Sequence, residues 1–385
     1  MNQNSSALSA ARWSISTVFL LNGAGIGLWA AHVPVVQARL GIDLATLSMV
    51  LLTIAAGALL AMPLMGGFTA RWGTRRMTLL SGFAFAALLP VIMGVSELRL
   101  LFLAAFAFGI SNGALDVAMN ANASEVEAAR GIPTLSSIHG FYSLGGLIGA
   151  ALGGLVIGQG WGDGKGAMAM GIATAIALAL VAPRVMAFAP TIDAGSHFQL
   201  PRGAALSLGL LALLCFAVEG ALVDWSALLM QERTKAVPAQ AALGFSAFSI
   251  AMAACRFAGD CMILRFGAMR VMVLGGLAMF AGLATAVLST HFLLSAAGFA
   301  LIGIGAANVV PLLFGAASRI PGMSAGAGVA AVATLGYGGL LLAPPVLGYI
   351  ASHASIMVAL GMLSLSGLVI AMSAGIIKVK STPTT

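Results

Sequence analysis

Three carboxylates sit where a charge is expensive. Asp116, Glu219 and Asp224 each fall inside a long apolar run of the chain. A charged side chain at the centre of a membrane helix costs about 2.5–3.5 kcal/mol on insertion scales, so such a group faces a cavity or a partner. The chemistry open to it is proton carriage or recognition of a polar solute. A desolvated carboxylate holds its proton to higher pH and releases it when its surroundings become wet. The structural alternative is a buried polar pair that fastens two helices.

Asp116 has company on its own helix. Asn112, Asp116 and Asn120 fall at i, i+4 and i+8, which places them on one helical face. A polar stripe on an otherwise apolar helix faces water or partners rather than lipid. Glu219 and Asp224 are five residues apart and therefore lie on different faces of a regular helix. Glu219 falls near mid-membrane and is the better site for coupling. Asp224 and Trp225 fall toward the outer end, where Trp225 suits an interfacial anchor. His139 starts a helix about one turn deep and can titrate near neutral pH. There it is either a partner for Asp116 or Asn120 or a satisfied structural histidine. Asn22, Tyr142, Asn308 and Tyr337 are donors and acceptors within apolar helices. His32 is expected at the end of its helix, in solvent.

The elements that hold these residues follow from composition. Hydrophobic residues make up 60% of the chain, charged residues only 8%, and mean hydropathy is +1.05. Soluble domains carry about 25% charged residues. The apolar surface must face lipid, where backbone groups are satisfied inside helices or closed barrels. Runs near 20 residues without period-2 alternation select helices. Spans are predicted at 13–33, 45–67, 77–96, 100–122, 136–158 and 167–182, then at 204–230, 241–263, 271–289, 292–316, 324–350 and 355–377. A polar, proline-containing loop fills 183–203. The first run is too long for a signal peptide's apolar core, so an uncleaved first helix is expected. Twelve spans put both termini on one side. Thirteen of the eighteen Lys and Arg residues fall in the loops on that side, which makes both termini cytoplasmic.

A repeat divides the chain. Arg71-Trp72-Gly73 follows the second span and Arg265-Phe266-Gly267 follows the eighth, 194 residues later. A duplicated six-helix unit puts the same turn in the same place twice. Residues 1–182 and 204–385 are then two bundles joined by 183–203.

Several classes are excluded. The net charge of +7 is scattered between apolar runs and forms no nucleic-acid stripe. Cys215, Cys255 and Cys261 form no C-x-x-C, so neither a disulfide framework nor a metal site is implied. Gly109-Ile110-Ser111-Asn112-Gly113 fits G-x-S-x-G but lies inside a membrane helix, not on a strand-to-helix turn. The glycines at 23–27 and 303–305 lack a βαβ setting, and no Walker lysine motif occurs. No cofactor is expected.

The turn after the second span reads Gly66-Gly67-Phe68-Thr69-Ala70-Arg71-Trp72-Gly73-Thr74-Arg75-Arg76. It resembles the G-x-x-x-D-R-x-G-x-R-R loop of the major facilitator superfamily, with Ala70 at the Asp position. The second copy holds Arg256, Asp260, Arg265, Gly267 and Arg270. Three further stretches are similar to the branch that contains fucose permease, an uncharacterised enterobacterial inner-membrane member and a rhizopine-locus membrane protein. They are His139–Gly145, Glu219–Trp225 and Val332–Tyr337 with Pro344-Pro345. The resemblance implies the major facilitator fold and transport across a bacterial inner membrane. Asp116-Val117-Ala118-Met119-Asn120 also matches the acid-x-Ala-x-Asn pattern of fucose permease, whose acid acts in recognition and transport. By that resemblance Asp116 and Asn120 take the same places. The other fucose permease acid, in helix 1, has no counterpart, since residues 13–36 contain no Asp or Glu.

The expected function is secondary transport of a small polar solute, a sugar, polyol or related compound, coupled to protons, by a monomer in the bilayer. Arg71, Arg75, Arg256, Asp260 and Arg265 are expected to latch cytoplasmic helix ends, Arg256 and Asp260 as an i, i+4 pair. The alternative is a proton-driven exporter of amphiphilic compounds. Gly145, Gly149, Gly153 and Gly154 resemble the antiporter glycine motif, with Ala150 at its Pro position, and close helix packing explains the same spacing. A non-transporting sensor ranks below both, because no soluble output domain is evident.

Overall fold

Long apolar runs become long helices because nothing else satisfies their backbone in lipid. The computed structural model describes residues 2–161, 165–188, 202–236, 238–241 and 243–378. Among them the regular structure is entirely helical. The first six helices are α1 (Asn2–Leu40), α2 (Leu44–Trp72), α3 (Thr74–Gly94), α4 (Leu98–Arg130), α5 (Leu135–Gly158) and α6 (Lys165–Val181). Then come α7 (Ala204–Thr234), a single turn α8 (Pro238–Ala241), α9 (Leu243–Phe266), α10 (Ala268–Leu288), α11 (Phe292–Ala306), α12 (Val309–Ala317), α13 (Ala325–His353) and α14 (Ile356–Met372). Eleven spans among the described residues are long and apolar enough to cross a membrane, with α11 and α12 forming one of them, and α14 is a shorter apolar helix. Large side chains such as Leu147 and Ile250, each 70% exposed, cover outer faces that water would not tolerate.

The helices overrun the hydropathic spans. α4 runs on to Arg130 because Ala123-Ser124-Glu125-Val126-Glu127-Ala128-Ala129-Arg130 is rich in good helix formers. Gly131 then stops it in the left-handed region (φ 67°), its N–H meeting the carbonyls of Glu127 and Ala128. α1 carries Pro34 inside and continues to Leu40. Asp43 opens α2 by accepting the Thr46 N–H at 2.8 Å. Hydrogen bonds from Thr46, from its side chain first, hold this exposed carboxyl below its usual range.

The span predicted at 292–316 is broken. α11 stops at Ala306 and α12 starts at Val309, with Asn308 between them. Pro311 is the physical cause, for it has no N–H to give to the carbonyl four residues back.

Two compact units emerge. One comprises Met1–Gly131, Ile138–Gln199 and Ser324–Ala330; the other comprises Ile132–Ser137, Leu200–Met323 and Ala331–Thr385. Residues 189–201, most of the predicted 183–203 loop, lie outside the described residues. Inside the first unit, α4 packs along α2 and α3, and α6 along α3; inside the second, α10 packs along α11 and α14, and α11 along α9.

The spacing of 194 residues recurs in the geometry. Gly73 has φ 84°, ψ 148°, and Gly267 has φ 80°, ψ 147°, turns that favour glycine. In the first unit, the guanidinium of Arg39 at the end of α1 donates to the carbonyls of Met93 (2.6 Å) and Val95 (2.9 Å) at the end of α3. In the second, Arg233 near the end of α7 donates to the Leu288 carbonyl at 2.8 Å, closing α10. A Cβ on Gly109 would stand 2.0 Å from the Ile54 carbonyl oxygen, and one on Gly303 would stand 2.2 Å from that of Phe248. These backbones touch with no side-chain layer between them. Gly109→Ala is therefore expected to force α2 and α4 apart at about 1–3 kcal/mol, the usual range for overpacking. Thermal unfolding in detergent should show a lower Tm; an unchanged Tm would mean the two helices have room to spare.

Candidate functional site

In the first unit the polar stripe of α4 turns inward. Asp116 is 9% exposed and Asn120 is fully buried. Asn22 reaches across from α1 and donates to Asn112 Oδ1 at 2.9 Å. Asn120 Nδ2 donates back to the Asp116 carbonyl at 2.9 Å and to its carboxylate at 3.3 Å. Asn120 Oδ1 is enclosed without a hydrogen-bond donor among the described residues. The i, i+4 spacing thus sets a carboxylate and three amides from two helices along one face, with Asn22, Asp116 and Asn120 buried and Asn112 half-buried. His139 packs against Phe19, ring centroids 5.1 Å apart. Tyr142 is half-buried, its carbonyl pressed against Gly23 of α1.

His32 corrects its expectation. It is fully buried, and its Nδ1 lies 2.9 Å from the Leu28 carbonyl. Its helix continues eight residues further, so it does not stand at an end.

The second unit gathers a different set. Glu219 lies at the centre of α7, with Cys215 Sγ one turn back at 3.6 Å. Arg256 of α9 faces it, Nη2 to Glu219 Oε2 at 3.9 Å, with the arginine side chain 8% exposed. The broken helix completes the cluster. Arg256 Nε donates to the Ala307 carbonyl at 3.4 Å, which is the carbonyl Pro311 leaves without its helical donor. Cys255 Sγ lies 3.6 Å from the Ile304 carbonyl, and Asn308 Nδ2 lies 3.6 Å from Cys255 Sγ. Sequence spacing sets Arg256 with the cytoplasmic arginines. The structure instead buries it in α9, beside an acid. Tyr337 stacks obliquely on Phe216 at 5.3 Å. The side chain of Asp224 lies outside the described residues. Trp225 is half-buried beside Gly348, with its indole N–H enclosed.

The other expected latch residues divide by environment. Arg71 and Arg265, 194 residues apart, are exposed and each lies over the next aromatic ring, Trp72 at 5.9 Å and Phe266 at 5.4 Å. Arg75 donates to the Ala182 carbonyl at 3.0 Å, holding the turn that ends α6. Asp260 accepts the backbone N–H groups of Ser136 (3.1 Å) and Ser137 (3.3 Å), so it caps the first turn of α5 within the second unit. A carboxylate there meets the positive end of the helix dipole.

One polar knot escapes sequence reasoning. Thr74 donates to Glu125 at 2.5 Å, and Asn122 donates to Thr74 Oγ1 at 2.9 Å and to the Met186 carbonyl at 3.0 Å. Its one signal is Asn122 and Glu125 three apart on α4, which any solvated helix end also shows.

Comparison with known proteins decides the class. The Major Facilitator Superfamily matches residues 14–233, more than half of the chain. The chain belongs to that superfamily. An uncharacterised MFS-type transporter of Yersinia pestis is 35% identical to this superfamily member over 361 residues, covering 94% of each chain. Membrane protein MosC of Rhizobium meliloti is 32% identical over 346 residues, 88% of this chain and 83% of its own. The E. coli fucose:proton symporter FucP shares the superfamily fold at a TM-score of 0.77 and 16% identity, over 96% of this chain and 98% of its own. The proton:xylose symporter XylE does so at 0.76 and 13%, over 98% and 97%. The protein is thus a multi-pass membrane transporter of this superfamily and not an enzyme.

Proposed function

We propose that the protein is a secondary active transporter of a small polar solute, a sugar, polyol or related compound, driven by protons through alternating access. The buried cluster of Asp116 with Asn22, Asn112 and Asn120 carries this reading. A lone fastening contact between α1 and α4 needs the Asn22–Asn112 bond and no carboxylate. An acid one turn further along is suited to exchanging a proton or to accepting solute hydroxyls. The structural neighbours FucP and XylE, a fucose:proton and a xylose:proton symporter, agree in solute class and coupling ion.

In this reading Asp116 binds proton or solute, and Glu219 is a second coupling site. Asn308, His139, Tyr142 and Tyr337 supply polar contacts, as does Asp224. Arg71, Arg75, Asp260 and Arg265 serve the cytoplasmic ends. The chain crosses a bacterial inner membrane twelve times as a monomer, with α11 and α12 as one interrupted span and α14 as the last. Both termini are cytoplasmic, in keeping with the thirteen-to-five division of basic residues, and 183–203 joins two six-helix halves. The exporter reading draws no support from the α5 glycines, because a Cβ on Gly145 or Gly149 would strike the α1 carbonyls of Leu20 and Ala24. Their spacing serves packing. The test is uptake into proteoliposomes across a panel of sugars and polyols, with and without an inward proton gradient. Accumulation above equilibrium only with the gradient is expected. Equal uptake in both conditions would remove proton coupling, and no uptake of any panel member would remove the solute class.

A further inference from the structure

The duplication supplies an internal reference for the second unit's charges. At the spacing of 194, Glu219, Arg256 and Asn308 correspond to Gly25, Met62 and Ala114. Met62 is fully buried in the same setting, between α2–α4 contacts that match those of α9–α11. A six-helix unit of this design therefore packs without an arginine at this place. Arg256 lies ten residues before the end of α9, about 15 Å of helix, half of a ~30 Å hydrocarbon core. Keeping a guanidinium there carries the cost of an intramembrane charge. Packing does not explain it.

What surrounds Arg256 is arranged for an anion. Glu219, one of the groups that hold Arg256, stands at 3.9 Å, well beyond the 2.7–2.9 Å of a tight charge-assisted pair. The break after α11 adds a second positive feature. The negative end of α11 is taken up, with Arg256 on the Ala307 carbonyl and Cys255 on that of Ile304. The positive end of α12 begins two residues after Ala307, and Asn308 gives it no side-chain cap. Asn308 is 4% exposed, and its Oδ1 lacks a hydrogen-bond donor among the described residues. That oxygen is fitted against Gly259, where a Cβ would stand 1.9 Å away. A guanidinium, a free helix N-terminus and a buried acceptor oxygen thus meet at one break.

We infer that this break is a recognition site for a solute bearing both a carboxylate and hydroxyl groups, a sugar acid or related hydroxy acid. Its carboxylate takes the Arg256 guanidinium from Glu219, and a hydroxyl donates to Asn308 Oδ1. The inference rests on the transporter reading above and narrows its solute class. Glu219 is the displaced counter-ion. The titratable groups around it are Cys215 on its own helix, and Cys255 and Arg256 on α9. Of the other helices packed on α7, α8, α11, α12 and α14 contain no titratable side chain, α10 has only Arg270 in its first turn, and α13, seated on α7 where Gly339 meets the Leu213 carbonyl, brings Tyr337 against Phe216.

Matched solutes test this on the purified full-length protein. Thermal-shift titrations would compare glucose with gluconate and glucuronate, for wild type, Arg256→Gln and Arg256→Lys, each against its own ligand-free Tm. The acids should raise the wild-type Tm and glucose should not. Arg256→Gln should weaken acid binding about 10- to 100-fold, the loss of one charge-assisted contact. Arg256→Lys, which keeps the charge and folds more safely, should fall between the two. If glucose or another neutral sugar binds and Arg256→Gln leaves that binding intact, the carboxylate inference falls while the transporter reading stands. If acids bind but both variants bind them as wild type does, Arg256 is not the recognition residue. If no member of either series binds, the sugar-type solute class falls with it.

Discussion

Asp116→Asn should reduce gradient-driven accumulation in proteoliposomes to the level of protein-free vesicles while leaving the protein folded. The substitution is isosteric. The bond from Asn120 to the backbone carbonyl of residue 116 does not involve the carboxylate, and neither does the Asn22–Asn112 bridge between α1 and α4. The scaffold of the cluster therefore survives. What disappears is the one group there that can exchange a proton. Solute counterflow, which needs no net proton movement, separates the two roles open to Asp116. Retained counterflow with lost accumulation assigns it to coupling, and loss of both assigns it to the solute. Full gradient-driven accumulation by the variant would end its place in the mechanism.

Arg256→Met should destabilise the protein by about 3 kcal/mol, the low end of the range for removing one partner of a buried ion pair. Methionine is the residue that the first half keeps at this place, so the side chain fits the packing. The penalty comes from Glu219, left without its counter-ion, and from the Ala307 carbonyl, left without a donor. Adding Glu219→Gln removes the first of these and should recover most of the loss. Denaturation of the two variants in detergent measures both values. A double variant no more stable than Arg256→Met would show that the pair contributes nothing beyond packing. The recovery is a matter of stability only, since the double variant lacks both the candidate recognition arginine and the candidate coupling acid.

Part of this was legible in one dimension. Asn112, Asp116 and Asn120 announce a shared face by spacing alone, and α4 presents them together. The Arg71 and Arg265 turns set the register of 194 residues, and the glycine turns, the arginine clamps and the close helix pairs keep to it. Arg256 was not legible in the same way. Its nearest signals are Asp260 one turn on and a basic loop beyond, which together look like a helix end. Depth is the missing quantity, and counting the ten residues back from Phe266 would have supplied it. His32 fails for the related reason that hydropathy falls off before the helix does. Leu40 ends α1, while the apolar run ends near residue 33. The knot of Thr74, Asn122, Glu125 and the Met186 carbonyl depends on a chain reversal over 48 to 64 positions, which local spacing does not encode.

Pro311 ties two traits into one. Its missing N–H is what leaves Ala307 a carbonyl to offer, and that carbonyl is one of the places where the guanidinium rests. An ordinary residue at 311 would mend the helix, occupy the carbonyl and take one acceptor from the arginine. The proline and the arginine should then be gained and lost as a pair across descendants of this duplication. Lineages whose helix runs unbroken here are the ones in which an apolar side chain like Met62 should return opposite.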